Sequence, residues 1–287
     1  RRLGQYGAQN KIGLHSLKRV VSAGAPVPAD TIETFSTMLA DGVEVHTPYG
    51  ATEAVPVTSI GSREILGETV SLTRNGYGIC VGKPLAGVRM TVIKITDQPI
   101  AKWHEQLLLD RAEVGEIVVS GDLVSRQYFE DPEMNSLHKI QDGQTVWHRM
   151  GDLGWFDSQG RLWFCGRKSH RVQTRKGDLY TIPCEAIFNG HPSVFRSALV
   201  GVGQPPNQTP VICIEPIMED SRIDLKQLEQ ELLETASRHP LVKDIRHVLF
   251  PGAFPVDVRH NAKINREALA LWAEKKLRGK IDDAEAS

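Results

Sequence analysis

The sequence predicts three parts in succession: an α/β segment over residues 1–75, a β-barrel-like subdomain over 76–167, and a small α+β domain over 168–287. Three observations carry this reading. Strand-like, helical and strand-like runs follow one another before residue 50. From Gly76 the chain becomes short β-branched runs cut by turn residues. Beyond Gly166 helical and strand patterns alternate.

In the first part, Leu14 to Val21 ends in a β-branched pair, followed by the turn-rich Ser22-Ala23-Gly24-Ala25-Pro26-Val27-Pro28. Ile32, Phe35, Met38 and Leu39 then fall at helical spacing, with Asp30 as the expected N-cap. Asp41-Gly42 closes that helix, and Val43-Glu44-Val45 is the expected next strand. In the second part, Val88 to Ile95, Gly115 to Gly121, Trp147 to Arg149 and Arg161 to Cys165 are expected strands. Asp157-Ser158-Gln159-Gly160 is a hairpin turn between two of them. In the third part, helices are expected over Pro183–Asn189, Leu225–His239 and Arg266–Lys276. Strands are expected over Val194–Val202, Val211–Glu215 and Arg246–Phe250. Leu225, Leu228, Leu232 and Leu233 form the apolar stripe of the second helix.

The 287 residues carry 40% hydrophobic and 24% charged side chains, the balance of a soluble globular protein. A net charge of −1 gives no broad field for nucleic acid or anionic lipid. No run of about 18 apolar residues is present, so no transmembrane segment is expected. Cys80, Cys165, Cys184 and Cys213 have no zinc-type spacing, and reduced thiols in a cytoplasmic protein are the expectation.

Four stretches carry chemistry. Gly24-Ala25-Pro26 lets backbone approach a flat ligand, but taken alone a plain turn is the better reading. Tyr49-Gly50-Ala51-Thr52-Glu53 offers an aromatic face, a close backbone, a phosphate-binding hydroxyl and a carboxylate for Mg²⁺. A tight turn with a buried Thr is the structural alternative. In the Trp147 to Gly154 run, Asp152 suits a ribose diol and Arg167 supports the same sugar; a turn cap and a surface ion pair are the alternatives. Lys263, before the last helix, is a lone lysine that solvent alone would accommodate.

Taken in order, Y-G-A-T-E, R-M-G-D-L-G…D-S-Q-G-R-L-W-F-C-G-R and N-A-K-I-N-R resemble the adenylate-forming superfamily of acyl-CoA synthetases, luciferases and peptide-synthetase adenylation domains. The resemblance covers nearly the whole chain. It implies ATP and Mg²⁺ as cofactors. It implies that Gly24, Ala25 and Pro26 line one face of adenine with Tyr49 and Gly50 near the other. Thr52 would bind the α-phosphate, Glu53 the metal, and Asp152 and Arg167 the ribose. Lys263 would be the catalytic lysine of a mobile C-terminal domain, swinging about a hinge at Ser169, where an Asp or Lys is more usual.

The Gly-rich phosphate loop that the superfamily carries is not in this sequence. The chain is therefore read as the C-terminal portion of a longer protein, with the N-terminal part as its first partner and exposed apolar area expected on its first 75 or so residues. The loop Arg175 to Glu185 has one residue more between Gly177 and Pro183 than the family pattern. With Ser169, it argues against ordinary transfer to CoA. The runs R-M-G-D-L-G-W-F-D-S-Q-G-R-L-W-F-C-G-R-K-S-H-R-V, T-I-P-C-E-A-I-F-N and P-V-D-V-R-H-N-A-K-I are similar to the AMP-forming β-lactone synthetases of bacterial long-chain olefin biosynthesis. That resemblance implies a long-chain acyl or 3-hydroxyacyl substrate, ring closure by its own hydroxyl, and olefin-pathway enzymes as partners. His148, His170 and His260 are candidates for the base that takes the hydroxyl proton. A long-chain acyl-CoA ligase and a non-catalytic interaction fragment are the competing readings.

Overall fold

The computed structural model describes residues 2–110, 112–217, 223–257 and 260–285, with backbone alone at 257, 260–263 and 279–285. The chain divides into two compact units. The first holds residues 1–73 and 78–168; the second holds 74–77 and 169–287.

The first unit is built on a mixed sheet, nine-stranded among the described residues. Its strands are β1 (Val20–Val21), β2 (Val45–Ala51), β3 (Ala54–Gly61), β4 (Ile79–Pro84), β5 (Arg89–Ile93), β6 (Gly115–Ser120), β7 (Lys139–Asp142), β8 (Thr145–Phe156) and β9 (Leu162–Arg167). The spatial order is β1-β2-β3-β4-β9-β8-β6-β5, with β7 paired to β8 off this path. The sheet therefore runs without a break from strands before residue 75 into those after it.

Every residue of β6 is buried, as expected of a strand covered on both faces. Ile117, Val119, Leu162 and Met150 join Val57, Val92 and Ala54 in one apolar core. Each such large aliphatic stabilises the fold by roughly 1.5–3 kcal/mol relative to exposure. A second cluster packs Ile93, Val118, Ile140 and Trp147 on the other side.

Several expectations shift. Val43 and Glu44 precede the strand; β2 starts at Val45 and carries the Tyr49-Gly50-Ala51 stretch itself. Pro48 is accommodated because β1 pairs only with Val45 and His46, so no β1 carbonyl awaits the missing N–H. Asp30 is not the N-cap. The helix is Ala29–Ser36, Pro28 holds the cap position, and Asp30 sits in the first turn accepting the Thr31 N–H at 2.7 Å. Its negative charge there still complements the helix dipole. The helix Arg2–Gln9 has no counterpart in the sequence reading. Apolar side chains are exposed along the first stretch, among them Leu3, Tyr6 and Val21. All four cysteines are buried and none forms a disulfide. Among the described residues, no helix is long and apolar enough to cross a membrane.

Among the described residues the second unit holds three small sheets: β10 (Val172–Thr174) with β11 (Gly177–Leu179); β12 (Val194–Val202), β13 (Thr209–Pro216) and β14 (His247–Leu249); and β15 (Val256–Asp257) with β16 (His260–Ile264). The helices Thr181–Asn189 and Leu225–Arg238 pack on the middle sheet through Phe188, Leu228 and Leu232 against Leu199, Ile212 and Ile214. Asp224 caps the second helix by accepting from the N–H groups of Lys226 and Gln227. Leu225 itself is exposed and leaves the apolar stripe to Leu228, Leu232 and Ala236. The long loop of the sequence reading is a β10–β11 hairpin running into the helix that begins at Thr181. There Glu185 accepts the Leu199 N–H at 2.8 Å and pairs with Arg266.

Candidate active site

The site is assembled on the strands β2, β3, β8 and β9 of the first unit. Strand β8 places Asp152 by a backbone kink. Gly151 has φ +64° in the middle of a twelve-residue strand, a left-handed conformation that L side chains rarely take. The register against β6 shifts there, and Asp152 pairs in register with Arg167 of β9. This is the physical reason for a Gly-Asp pair at that point.

Asp152 Oδ2 accepts the Tyr49 hydroxyl at 2.7 Å, a contact between residues 103 apart in sequence. Arg167 Nη1 lies 3.0 Å from Oδ1 as an ion-pair partner, but its N–H is not aligned for a hydrogen bond. Oδ1 is therefore buried with an unmet acceptor. Burial pushes the Asp152 carboxyl up, against the opposing pull of Arg167 and Tyr49. Burial also pushes the Tyr49 hydroxyl well above its ordinary value, so it stays a donor. The Tyr49 ring packs on Phe164 at 5.8 Å between centroids.

Thr52 and Glu53 form the two-residue turn between β2 and β3. Thr52 is exposed and Glu53 half-buried. Gly50 is explained inside this hairpin, because a Cβ there would meet the Ala54 carbonyl oxygen at 2.4 Å. Glu53 Oε1 accepts the Tyr128 hydroxyl at 2.8 Å. Its burial raises the carboxyl, but the Tyr128 bond, its own N–H and the charges of His148 and Lys139 outweigh that and hold it below its usual value. A carboxylate so kept ionised fits a hard divalent cation shared with phosphate oxygens. Among the described residues no cluster of three or more metal-ligating side chains exists, so a metal here needs ligands from its substrate.

Gly24, Ala25 and Pro26 are exposed and follow β1, whose parallel pairing with β2 puts their loop along the strand that carries Tyr49. Gly24 has φ +98° with open space where a Cβ would stand, so its backbone alone requires glycine. Ser169 is the first residue of the second unit after Lys168. Lys263 lies on β16, and its side chain, like that of His260, is outside the described part.

His148 is a poor candidate base. It is 2% exposed, its Nδ1 faces the His138 carbonyl at 3.3 Å, and burial pushes its pKa down to about 4. Two neighbours of the site escaped the sequence reading. Tyr128 holds Glu53, and Lys139 lies over the Tyr128 ring at 5.2 Å. No local pattern marks either, because their partners are distant in sequence.

Residues 2–129 match the family model described as AMP-binding enzyme. The olefin beta-lactone synthetase of Stenotrophomonas maltophilia (strain K279a) is 45% identical over 269 residues, covering 92% of this chain and 48% of that protein. That of Xanthomonas campestris pv. campestris is 43% identical over 265 residues, covering 91% and 48%. The chain thus spans about half the length of the curated relatives it matches. Among solved structures, the amide bond synthetase McbA from Marinactinospora thermotolerans superimposes with a TM-score of 0.73 at 24% identity, over 94% of this chain and 49% of that one. The o-succinylbenzoate coenzyme A synthetase MenE from Bacillus subtilis, in complex with ATP and magnesium ion, does so with a TM-score of 0.68 at 18% identity, over 93% and 49%. These two likenesses speak for the fold. Residues 2–129 thus carry an AMP-binding enzyme domain, and the two relatives match across most of the chain.

Proposed function

We propose that this chain serves ATP-dependent activation of a long-chain 3-hydroxy acid, followed by closure of a β-lactone and release of AMP. One observation carries the nucleotide half of this reading: a buried Asp152 with one unmet oxygen, set between Tyr49 and Arg167. That oxygen is met only by an ion pair to a half-exposed arginine and keeps room to accept a further donor, and a ribose hydroxyl is such a donor. The identity to two olefin beta-lactone synthetases supports the acid and its product.

In this mechanism Asp152 accepts from the ribose, with Arg167 beside the same sugar. Tyr49, fixed by its bond to Asp152, offers a ring face to adenine, and the Gly24-Ala25-Pro26 backbone closes the other side. Thr52 donates to the α-phosphate from the exposed hairpin tip. Glu53 presents its carboxylate to Mg²⁺, which neutralises phosphate charge when bound. The substrate carboxylate oxygen bonds to the α-phosphorus as the bond to pyrophosphate breaks. The 3-hydroxyl oxygen then bonds to the acyl carbon, its proton passes to water, and AMP leaves with the bridging oxygen. An acceptor within the same molecule has a high effective concentration, which offsets part of the ring strain. Lys263 stabilises charge that develops at the first step, and its movement about Ser169 would end that step.

The test uses the complete gene product that carries this chain, with Mg-ATP and a long-chain 3-hydroxy acid, with and without CoA. Pyrophosphate release is followed and the lipid product identified by NMR. A β-lactone formed without CoA is the expected result; a thioester formed only with CoA makes the protein an acyl-CoA ligase. Lys263→Ala is expected to slow pyrophosphate release by about 10²–10³-fold. A rate unchanged by that substitution removes Lys263 from the mechanism.

A further inference from the structure

The segment that follows β6 is fastened to the β2–β3 hairpin tip at two points and braced by Lys139 of β7 at a third. The Ser125 N–H donates to the Glu53 carbonyl oxygen at 2.8 Å. The Tyr128 hydroxyl donates to Glu53 Oε1 at 2.8 Å. Lys139 Nζ donates to the Ser125 carbonyl at 2.5 Å and to Ser125 Oγ at 3.0 Å, with its charge 5.2 Å from the centre of the Tyr128 ring. Tyr128 is itself held, because its N–H donates to Asn135 Oδ1 at 2.7 Å and its carbonyl accepts from Asn135 Nδ2 at 3.1 Å. Asp131 caps the short helix that presents Asn135. A hairpin tip would otherwise leave a glutamate free to rotate, yet this one has a fixed rotamer and one oxygen engaged. The other oxygen, Oε2, has no hydrogen bond from another described residue.

We propose that Tyr128 is a positioning and selectivity residue: by holding Oε1 it leaves Oε2 as the single ligating oxygen of Glu53, and so favours Mg²⁺ over Ca²⁺. The inference rests on Glu53 as the metal carboxylate of the proposed function. Ca²⁺ accepts six to eight oxygens at flexible geometry and readily takes both oxygens of one carboxylate. Mg²⁺ demands near-octahedral geometry and is bound through one or two carboxylates plus substrate phosphates. A carboxylate with one oxygen already committed to a phenol suits the second cation and penalises the first. Lys139 contributes by pinning Ser125 and by lying over the ring that carries the hydroxyl.

The experiment uses the complete gene product with Mn²⁺ and the non-cleavable analogue α,β-methylene-ATP. The EPR signal of protein-bound Mn²⁺ is displaced by Mg²⁺ or by Ca²⁺, and the ratio of the two half-displacing concentrations is read. In Tyr128→Phe that ratio is expected to move about tenfold in favour of Ca²⁺. Tyr128→His, which can still donate to Oε1, is expected to stay near the wild-type ratio. Glu53→Asp is one methylene too short for Tyr128 and sits at the hairpin tip; it is expected to shift the ratio as Tyr128→Phe does, even if the latter fails to fold. General damage weakens both metals together and leaves the ratio alone. An unchanged ratio in Tyr128→Phe and Glu53→Asp overturns the proposal while leaving Glu53 as a ligand. A bound-Mn²⁺ signal that survives Glu53→Gln instead overturns the assignment of Glu53 itself.

Discussion

Two buried carboxylates stand on neighbouring strands, Glu116 on β6 and Asp152 on β8, and the molecule uses them differently. Glu116 Oε2 accepts Arg149 Nη2 at 2.6 Å, Arg149 Nε at 3.1 Å and Lys168 Nζ at 3.2 Å. Its Oε1 lies 3.1 Å from the same Lys168 ammonium, without an aligned hydrogen bond. The rest of the Arg149 fork is taken by the carbonyls of Thr96, Gln98 and Leu137. Both partners of that pair are sealed from solvent. Asp152 has a phenol on one oxygen and, toward the other, an arginine whose side chain is 51% exposed. The difference is one of access. A structural carboxylate has its charge matched by cations buried with it. Asp152 instead has its unmet acceptor beside a partner that reaches solvent. The two also interact, since Glu116 adds to the upward push on the Asp152 carboxyl.

The strongest way to break this comparison is to cut the sealed pair. Arg149→Leu strips Glu116 of its main cation while leaving the charge buried. Removing one partner of a buried pair costs about 3–5 kcal/mol. Denaturant unfolding should show a midpoint lowered accordingly, and an unchanged midpoint would mean that Glu116 is no more structural than Asp152.

The open carboxylate should respond in the opposite sense. Asp152 has a raised carboxyl pKa, so its ionised form opposes folding at neutral pH. Asp152→Asn keeps the shape and removes that charge. Its thermal midpoint should hold or rise, while AMP affinity, measured by calorimetry on the complete protein, should fall about 10–100-fold through the lost charged hydrogen bond. A variant that loses stability yet keeps nucleotide affinity would place Asp152 with Glu116 as a structural group.

The sequence reading reached the regular elements and fell short at long-range polar contacts. Val194 to Val202 is a strand with the expected ends. Asp157 to Gly160 turns as expected, with Asp157 accepting the Gln159 and Arg161 N–H groups. Strand β8 is far longer than the expected Trp147–Arg149, because Gly151 and Gly154 disguise its continuation as a loop. The residues proposed for the nucleotide were picked out through a motif resemblance, not through periodicity. That Tyr49 donates to Asp152 was not legible, since nothing local links residues 103 apart. Tyr128 and Lys139 lay in a stretch without periodic signal, and only the fold brings Tyr128 onto Glu53. Arg149, beside the Gly-Asp pair, gave no sign that its partner is Glu116.

Away from that pair, the charges around Glu53 are tested by pH. His148, which pairs with Lys139 across β7 and β8, is pushed down to about 4 by burial and by the Lys139 charge, with Glu53 pulling the other way. An unfolded histidine titrates near 6.5. Between about pH 6.5 and 4 the unfolded chain therefore binds a proton that the folded one does not. Stability falls as pH is lowered through that window, by on the order of 2–3 kcal/mol at its lower end. His148→Asn removes the term, so the variant's unfolding free energy should decline less than wild type between pH 7 and 4.5. Lys139 behaves in the same sense at higher pH: burial pushes its pKa down to about 8, so its share of stability rises with pH between about 8 and the ordinary lysine value. Because the Lys139 charge helps hold His148 neutral, Lys139→Met should raise the His148 pKa, read by NMR. An unmoved pKa would mean that burial alone keeps His148 neutral, and that the charges around Glu53 do not reach it.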